Sequence, residues 1–144
     1  MEITLRSVET KDIDFLLYLR RKTMHRYSAE LSEESESSDM SRVMYSFENI
    51  QIISYRKKEV GMIKISKIRP KNNWYIYQFQ VDPEFQGLGI GRFVLSDLCE
   101  SAIQSKISIS LSVFKTNPAI SLYKRLGFNQ VSNNKHEYEM VFNA

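Results

Sequence analysis

Three of the chain's five glycines are crowded into five residues, at Gly87, Gly89 and Gly91. They follow an alternating run, Trp74–Val81, that Pro83 closes, and they open helical spacing from about Gly89 to Ser105, marked by Val94, Leu98 and Ala102. A strand that passes through glycines into a helix presents unpaired N–H groups at the positive end of the helix dipole. Without Cβ atoms the main chain there can adopt positive φ and close on a phosphate. A glycine-rich turn that only caps a helix is the plainer reading of the same spacing. Two other phosphate loops fail on inspection. A Walker A loop ends in Gly-Lys-Ser/Thr, whereas Arg92-Phe93 follows Gly91. A dinucleotide fingerprint needs a third glycine where this chain has Arg92 or Val94, and an acid about 20 residues on. No Asp or Glu lies between Glu100 and Glu137.

The rest of the pattern places that loop in a mixed α/β chain. Ile3, Leu5 and Val8 begin a strand, and Ile13, Leu16, Leu17, Met24 and Tyr27 then recur at helical spacing. From Ser28 to Ser41 the composition turns to serines with Glu30, Glu33, Glu34, Glu36 and Asp39 and no Lys or Arg, which reads as a polar connection into a short helix near Met40–Phe47. Asn49–Tyr55 and Val60–Ile68 read as strands paired around Arg56–Glu59. In Trp74–Val81, Tyr75, Tyr77, Phe79 and Val81 share one face, and Trp74, Ile76, Gln78 and Gln80 the other. Ile107–Val113 alternates as a half-buried strand. Asn117-Pro118 opens a helix ended by Gly127, and Phe128–Val131 with His136–Phe142 forms a terminal hairpin. The expected fold is α/β (α+β): one domain over residues 1–144, with a mixed sheet of six to seven strands flanked by about four helices.

Composition narrows the function classes. Twenty Lys+Arg against 17 Asp+Glu give a net charge of +3, which is no polybasic nucleic-acid or membrane surface. One cysteine, Cys99, excludes an internal disulfide and a cysteine zinc cluster, and two histidines argue against a histidine-rich metal site. The first residues lack a long apolar run, so the expectation is a cytoplasmic protein with no membrane segment, no nucleic-acid partner and no metal. Cys99, within a helix, reads as an inert buried thiol.

Two blocks of residues carry a family resemblance. Val81-Asp82-Pro83 with Gln86-Gly87-Leu88-Gly89-Ile90-Gly91 resembles the acyl-CoA loop of the GNAT superfamily of N-acetyltransferases, Gln/Arg-x-x-Gly-x-Gly/Ala. Asn117-Pro118-Ala119-Ile120-Ser121-Leu122-Tyr123-Lys124-Arg125-Leu126-Gly127-Phe128 resembles the second signature of that family. The likeness is specific over Trp74–Phe128 and topological before it. It implies acetyl-CoA as the acyl donor, its pyrophosphate on the amides from Gln86 through Gly87, Leu88, Gly89, Ile90 and Gly91 to Arg92. It implies splayed strands at Trp74–Val81 and Ile107–Val113, with backbone groups of Phe79 and Val81 meeting the pantetheine arm. The Val81 N–H would stabilise the oxyanion, Tyr123 would protonate the departing thiolate, and Asn117 would contact the CoA arm while capping its helix. Packing on the Ala119–Leu126 face is the alternative role for Tyr123. Relatives are often dimers, so the resemblance also allows a homodimer.

The acceptor side is less determined. An alkyl amine with pKa near 10.4 is about one part in 2,500 neutral at pH 7, so a base or relay is needed. Many relatives place Glu or Asp at a site matching Tyr77 or Gln78; this chain does not. Gln78 or Gln80 can hold a water but accept no proton at neutral pH. A water chain ending at Glu30, Glu33 or Glu34 is the leading expectation for the base, with His25 as another candidate. The same acidic run would attract a cationic amine, whether polyamine, aminoglycoside or lysine-bearing peptide, although a solvated loop explains it too. Tyr18, Tyr27, Tyr45 and Trp74 are candidate pocket walls. A non-catalytic acyl-CoA-binding or sensing module, or a binder of another phosphorylated ligand, are the competing functions.

Overall fold

The computed structural model describes residues 2–23, 36–67 and 72–144. In chain order the elements are β1 (Ile3–Ser7), α1 (Ile13–Thr23), α2 (Glu36–Met44), β2 (Ile50–Tyr55), β3 (Lys58–Ser66), β4 (Asn73–Val81) and α3 (Ile90–Ser105). β5 (Ser108–Phe114), α4 (Ile120–Leu126), β6 (Asn129–Asn133) and β7 (Glu137–Phe142) follow. The seven strands are ordered β1-β2-β3-β4-β5-β7-β6. β4 and β5 pair in parallel, while β1 with β2, β2 with β3, β5 with β7 and β6 with β7 are antiparallel. The expected mixed sheet of six to seven strands with four α-helices is therefore present among the described residues. Two compact units divide the chain: Met1–Lys64 with Gln78–Ile90, and Ile65–Tyr77 with Gly91–Ala144.

In the first unit, Leu16 and Leu19 of α1 and Val43 of α2 pack on Ile50, Ile52 and Met62. These positions recur at helical spacing on the helices and at alternate residues on the strands, so each element buries one face there. β3 is buried from Val60 to Ser66, which is the burial of a central strand. At Gly61 it has no side chain, and it cannot carry one: a Cβ would meet the carbonyl oxygen of Gln80, with Val81 Cα at 3.3 Å. The register between β2 and β3 shifts at Ile53/Ser54, opposite this close approach.

The acidic stretch needs correction at its C-terminal end. The helix begins at Glu36, not near Met40, and ends at Met44, with Phe47–Asn49 as a separate turn. Asp39 is not part of a solvated loop. It is 1% exposed and accepts from Arg20 Nε at 3.0 Å, a long-range pairing that anchors this helix to α1. A charged residue so deeply buried is retained only with such a partner.

Lys64 is the second charge taken into this unit. It is fully buried, and its Nζ donates to the carbonyl oxygens of Arg42 (2.9 Å), Val43 (3.3 Å) and Tyr45. Those are the unpaired acceptors at the C-terminal end of α2, where a cation is favoured. Burial, and secondarily the charge of Arg20, push the Lys64 ammonium down from 10.5 to about 8, with Glu48 opposing. Between those two values the folded chain binds fewer protons here than the unfolded one, so this group's contribution to stability rises with pH from about 8 to 10.5. Thermal melts of wild type and Lys64→Met should therefore shift in favour of wild type from about pH 7 to about pH 10. A difference unchanged across that range would contradict the assignment.

In the second unit, β5 buries Ile109, Leu111 and Val113, and β7 buries Met140 and Phe142. Phe128 packs between Tyr123 (ring centroids 5.5 Å apart) and Phe142 (5.6 Å). Gly127, at φ +107°, ends α4 as its position in the sequence requires. Trp74 is buried under the Lys67 ammonium, 4.4 Å from the ring centroid, so it is a core residue and not an exposed wall.

Candidate functional site: the glycine loop and the helix of Tyr123

In the first unit, Asp82 sets the exit from β4. Its side chain accepts from Glu84 N at 3.0 Å and from the Tyr18 hydroxyl at 2.7 Å, and Pro83–Phe85 form a tight turn. Tyr18, considered as a pocket wall, thus acts as a strut. The bond to Asp82 pushes its phenol up to about 12, so it stays protonated. The main-chain N–H of Asp82 donates to Val60 O at 2.7 Å. N–H groups alternate between strand edges, so the Val81 N–H points to the edge opposite β3. The Val81 carbonyl takes a hydrogen bond from Gln86 Nε2 at 3.0 Å. The Val81 N–H donates to no described residue and faces that edge, while its carbonyl already holds the Gln86 side chain against the strand end.

The loop then runs exposed through Gln86, Gly87, Leu88 and Gly89 until Ile90 is buried. Gly87 and Gly89 take φ of +82° and +86°, conformations that L side chains rarely adopt. A Cβ at Gly87 would meet nothing within 4 Å, so its requirement is one of conformation and not of space. The main chain enters α3 directly from this loop, with Arg92 exposed. The loop therefore offers amide donors without side-chain cover, the chemistry a diphosphate requires.

Gln78 and Gln80 lie on the α1 side of β4, as the alternation predicts. Gln80 is 4% exposed, and its Nε2 has no hydrogen-bond partner among the described residues. It lies in a narrow crevice with Arg20, Gln78 and Met62. Replacing Gln80 with Met keeps the volume and removes the orphan donor. Urea denaturation should show a gain of about 1 kcal/mol, and a loss of stability would contradict this account.

In the second unit, the parallel ladder runs from Asn73↔Ser108 to Ile76↔Leu111 and stops there. Tyr123 is 5% exposed, its ring lodged against Phe128, and burial pushes its phenol well above the ordinary value. Its hydroxyl makes no hydrogen bond to a described residue. Asn117 Oδ1 accepts from Ala119 N at 2.9 Å, which fixes the turn leading into α4; the N-cap itself is Ala119, two residues past the expected Asn117, and it makes no side-chain capping bond. Cys99 is buried with its thiol pushed up to about 11, which suits an inert packing residue. Tyr45 is 61% exposed. His25, Glu30, Glu33 and Glu34, proposed for the acceptor side, and Tyr27 lie outside the described residues. Sequence reasoning did not single out Glu139, which accepts from Ser112 Oγ at 2.7 Å.

Comparison with known proteins follows the same residues. The model of the acetyltransferase (GNAT) family matches residues 17–128. Uncharacterized N-acetyltransferase ycf52 of Porphyra purpurea is 38% identical over 81 residues, which are 55% of this chain and 46% of that protein. The [ribosomal protein bS18]-alanine N-acetyltransferase of Salmonella typhimurium is 35% identical over 65 residues, 44% of each chain. The chain thus spans less than half the length of the curated relatives it matches. The crystal structure of the PaiA N-acetyltransferase from Thermoplasma acidophilum, in complex with coenzyme A, superposes with a TM-score of 0.77 over 100% of both chains at 18% identity, a likeness of fold.

Proposed function

The chain belongs to the GNAT acetyltransferase family, and from that premise we propose that it transfers the acetyl group of acetyl-CoA to an amine by direct attack on the thioester. One observation supports this reading above the others. An uncovered loop with Gly87 and Gly89 at positive φ follows the strand end where the Val81 N–H points away from β3. In this reading the amides from Gln86 to Arg92 hold the diphosphate, at about 0.3–1 kcal/mol for each favourable dipole interaction. Phe79 and Val81 align the pantetheine arm, and the Val81 N–H stabilises the oxyanion. Asn117 holds the start of α4 and contacts the arm. Tyr123, kept protonated by burial, gives its proton to the departing sulfur.

The acceptor is a primary amine on a small molecule or a peptide. Alanine-initiated peptide is one candidate, since a relative carries that acceptor in its name. The acidic residues Glu30, Glu33 and Glu34, with His25 and Gln78, remain proposed for the acceptor side. A second reading, a non-catalytic acyl-CoA-binding module, is favoured by one fact alone: β4 carries Tyr77 and Gln78 and no carboxylate. Thiol release from acetyl-CoA, screened against spermidine, an aminoglycoside, a lysine-bearing peptide and an alanine-initiated peptide, separates the two. Amine-dependent release is expected. Binding of acetyl-CoA without release across the panel would favour the module.

A further inference from the structure

β5 and β4 are paired only as far as Leu111, so Ser112 is the first residue of β5 beyond the fork. In the antiparallel register Ser112 faces Glu139 of β7, and its Oγ donates to Glu139 Oε2 at 2.7 Å. The hydroxyls of Tyr75 and Ser112 are 2.9 Å apart. A serine has one proton, already directed to the carboxylate, so Tyr75 is the donor in that second bond. One of the two lone pairs on Ser112 Oγ then receives Tyr75, and the other is left for an incoming donor. Glu139 itself forms no ion pair with a described residue.

Ser112 and Glu139 also line a cavity of about 130 Å³ together with Ser132, Asn133, Glu137 and Tyr138. That volume accommodates about four water molecules or the amino end of an alkyl chain. Polar groups dominate the lining, and two of them are carboxylates. The titratable neighbours are Tyr75 on β4, Lys115 just past β5, Glu137 and Tyr138 on β7, and Lys135 and His136 in the turn before it; β6 carries none. Lys115 Nζ donates to Asn133 Oδ1 at 3.2 Å and lies 5.3 Å from the centroid of the Tyr138 ring.

Resting on the acetyltransfer reading, we infer that Glu139 takes the amine's proton through the Ser112 hydroxyl, and so supplies the carboxylate that β4 lacks. The ammonium nitrogen gives one proton to Ser112 Oγ while Ser112 passes its own to Glu139 Oε2. The neutral amine then attacks the thioester carbon, forming the C–N bond, and the C–S bond breaks. Nitrogen's surplus second proton replaces the one that Tyr123 gives to sulfur. Glu139, half-exposed, afterwards releases its proton to solvent. Tyr75 holds Ser112 in the orientation that keeps this direction of transfer.

The test compares wild type, Glu139→Gln, Ser112→Ala and Ser112→Thr in amine-dependent thiol release, with spermidine and an alanine-initiated peptide as acceptors, over about pH 6 to 10. Glu139→Gln and Ser112→Ala should lower kcat/KM about 10- to 100-fold near pH 7. The deficit should shrink as the pH approaches about 10.4, where the amine loses its proton unaided. Ser112→Thr keeps a hydroxyl and should stay within about threefold, and acetyl-CoA affinity by calorimetry should stay within about twofold in all three variants. A Glu139→Gln enzyme within about twofold of wild type near pH 7, or a deficit equal at every pH, overturns the relay alone. A wild-type protein that binds acetyl-CoA yet releases no thiol with either amine overturns the acetyltransfer reading and the relay with it.

Discussion

Tyr123→Phe should lower kcat for amine-dependent thiol release about 10²- to 10³-fold while acetyl-CoA affinity changes little. The change deletes one oxygen. The ring keeps its place against Phe128, so the core of the second unit is preserved. What disappears is the proton donor proposed for the departing sulfur, and positioned general acids contribute about 10²- to 10⁴-fold. The lower part of that range applies because a thiol of pKa near 8.5 is already a tolerable leaving group. Burial holds the phenol protonated throughout the working range, so the wild-type rate should show no descending limb from Tyr123 at neutral pH. Steady-state kinetics with calorimetry decides it. Unchanged turnover would remove Tyr123 from the reaction and leave it as a packing residue.

Gly61→Ala should cost about 3 kcal/mol, a drop of roughly 10 °C in Tm for a chain of this size. The added methyl group runs into the carbonyl of Gln80 and toward Val81 Cα at 3.3 Å. Both are main chain, so no side chain can swing aside to make room. Relief requires β3 and β4 to part locally, at the residue whose N–H is assigned to the oxyanion. Part of the damage should therefore appear as a lower kcat in the fraction that stays folded. Thermal unfolding followed by circular dichroism, with activity at a permissive temperature, measures both. A loss below about 1 kcal/mol would mean that the strands are less tightly apposed than described.

Much of this was readable from residue order alone. The alternation in Trp74–Val81 separates its two faces correctly, and the glycine spacing locates the loop, because both depend on contacts local in sequence. Gly127 announces the end of its helix for the same reason, while the N-cap falls at Ala119, two residues past Asn117. Lys64 and Asp39 were not readable. Each is a charged residue in a strand or in an acidic, serine-rich run, and only partners brought from elsewhere by folding make burial tolerable: α2 carbonyls for Lys64 and Arg20 for Asp39. The N-terminal boundary of α2 was misjudged because composition there favours a loop while Asp39 and Val43, one turn apart, are both buried. Glu139 stayed hidden because an outward residue of an alternating strand resembles any solvated glutamate until its register with Ser112 is known.

Every role assigned above presupposes a protein that holds the acyl donor on the main chain between Val81 and Arg92. Calorimetric titration of the purified chain with acetyl-CoA measures that directly. Saturable binding at one site per chain is predicted, abolished or sharply weakened by Gly89→Val, whose positive φ a β-branched residue cannot adopt without strain. Absence of measurable heat and of displacement by free coenzyme A would contradict it.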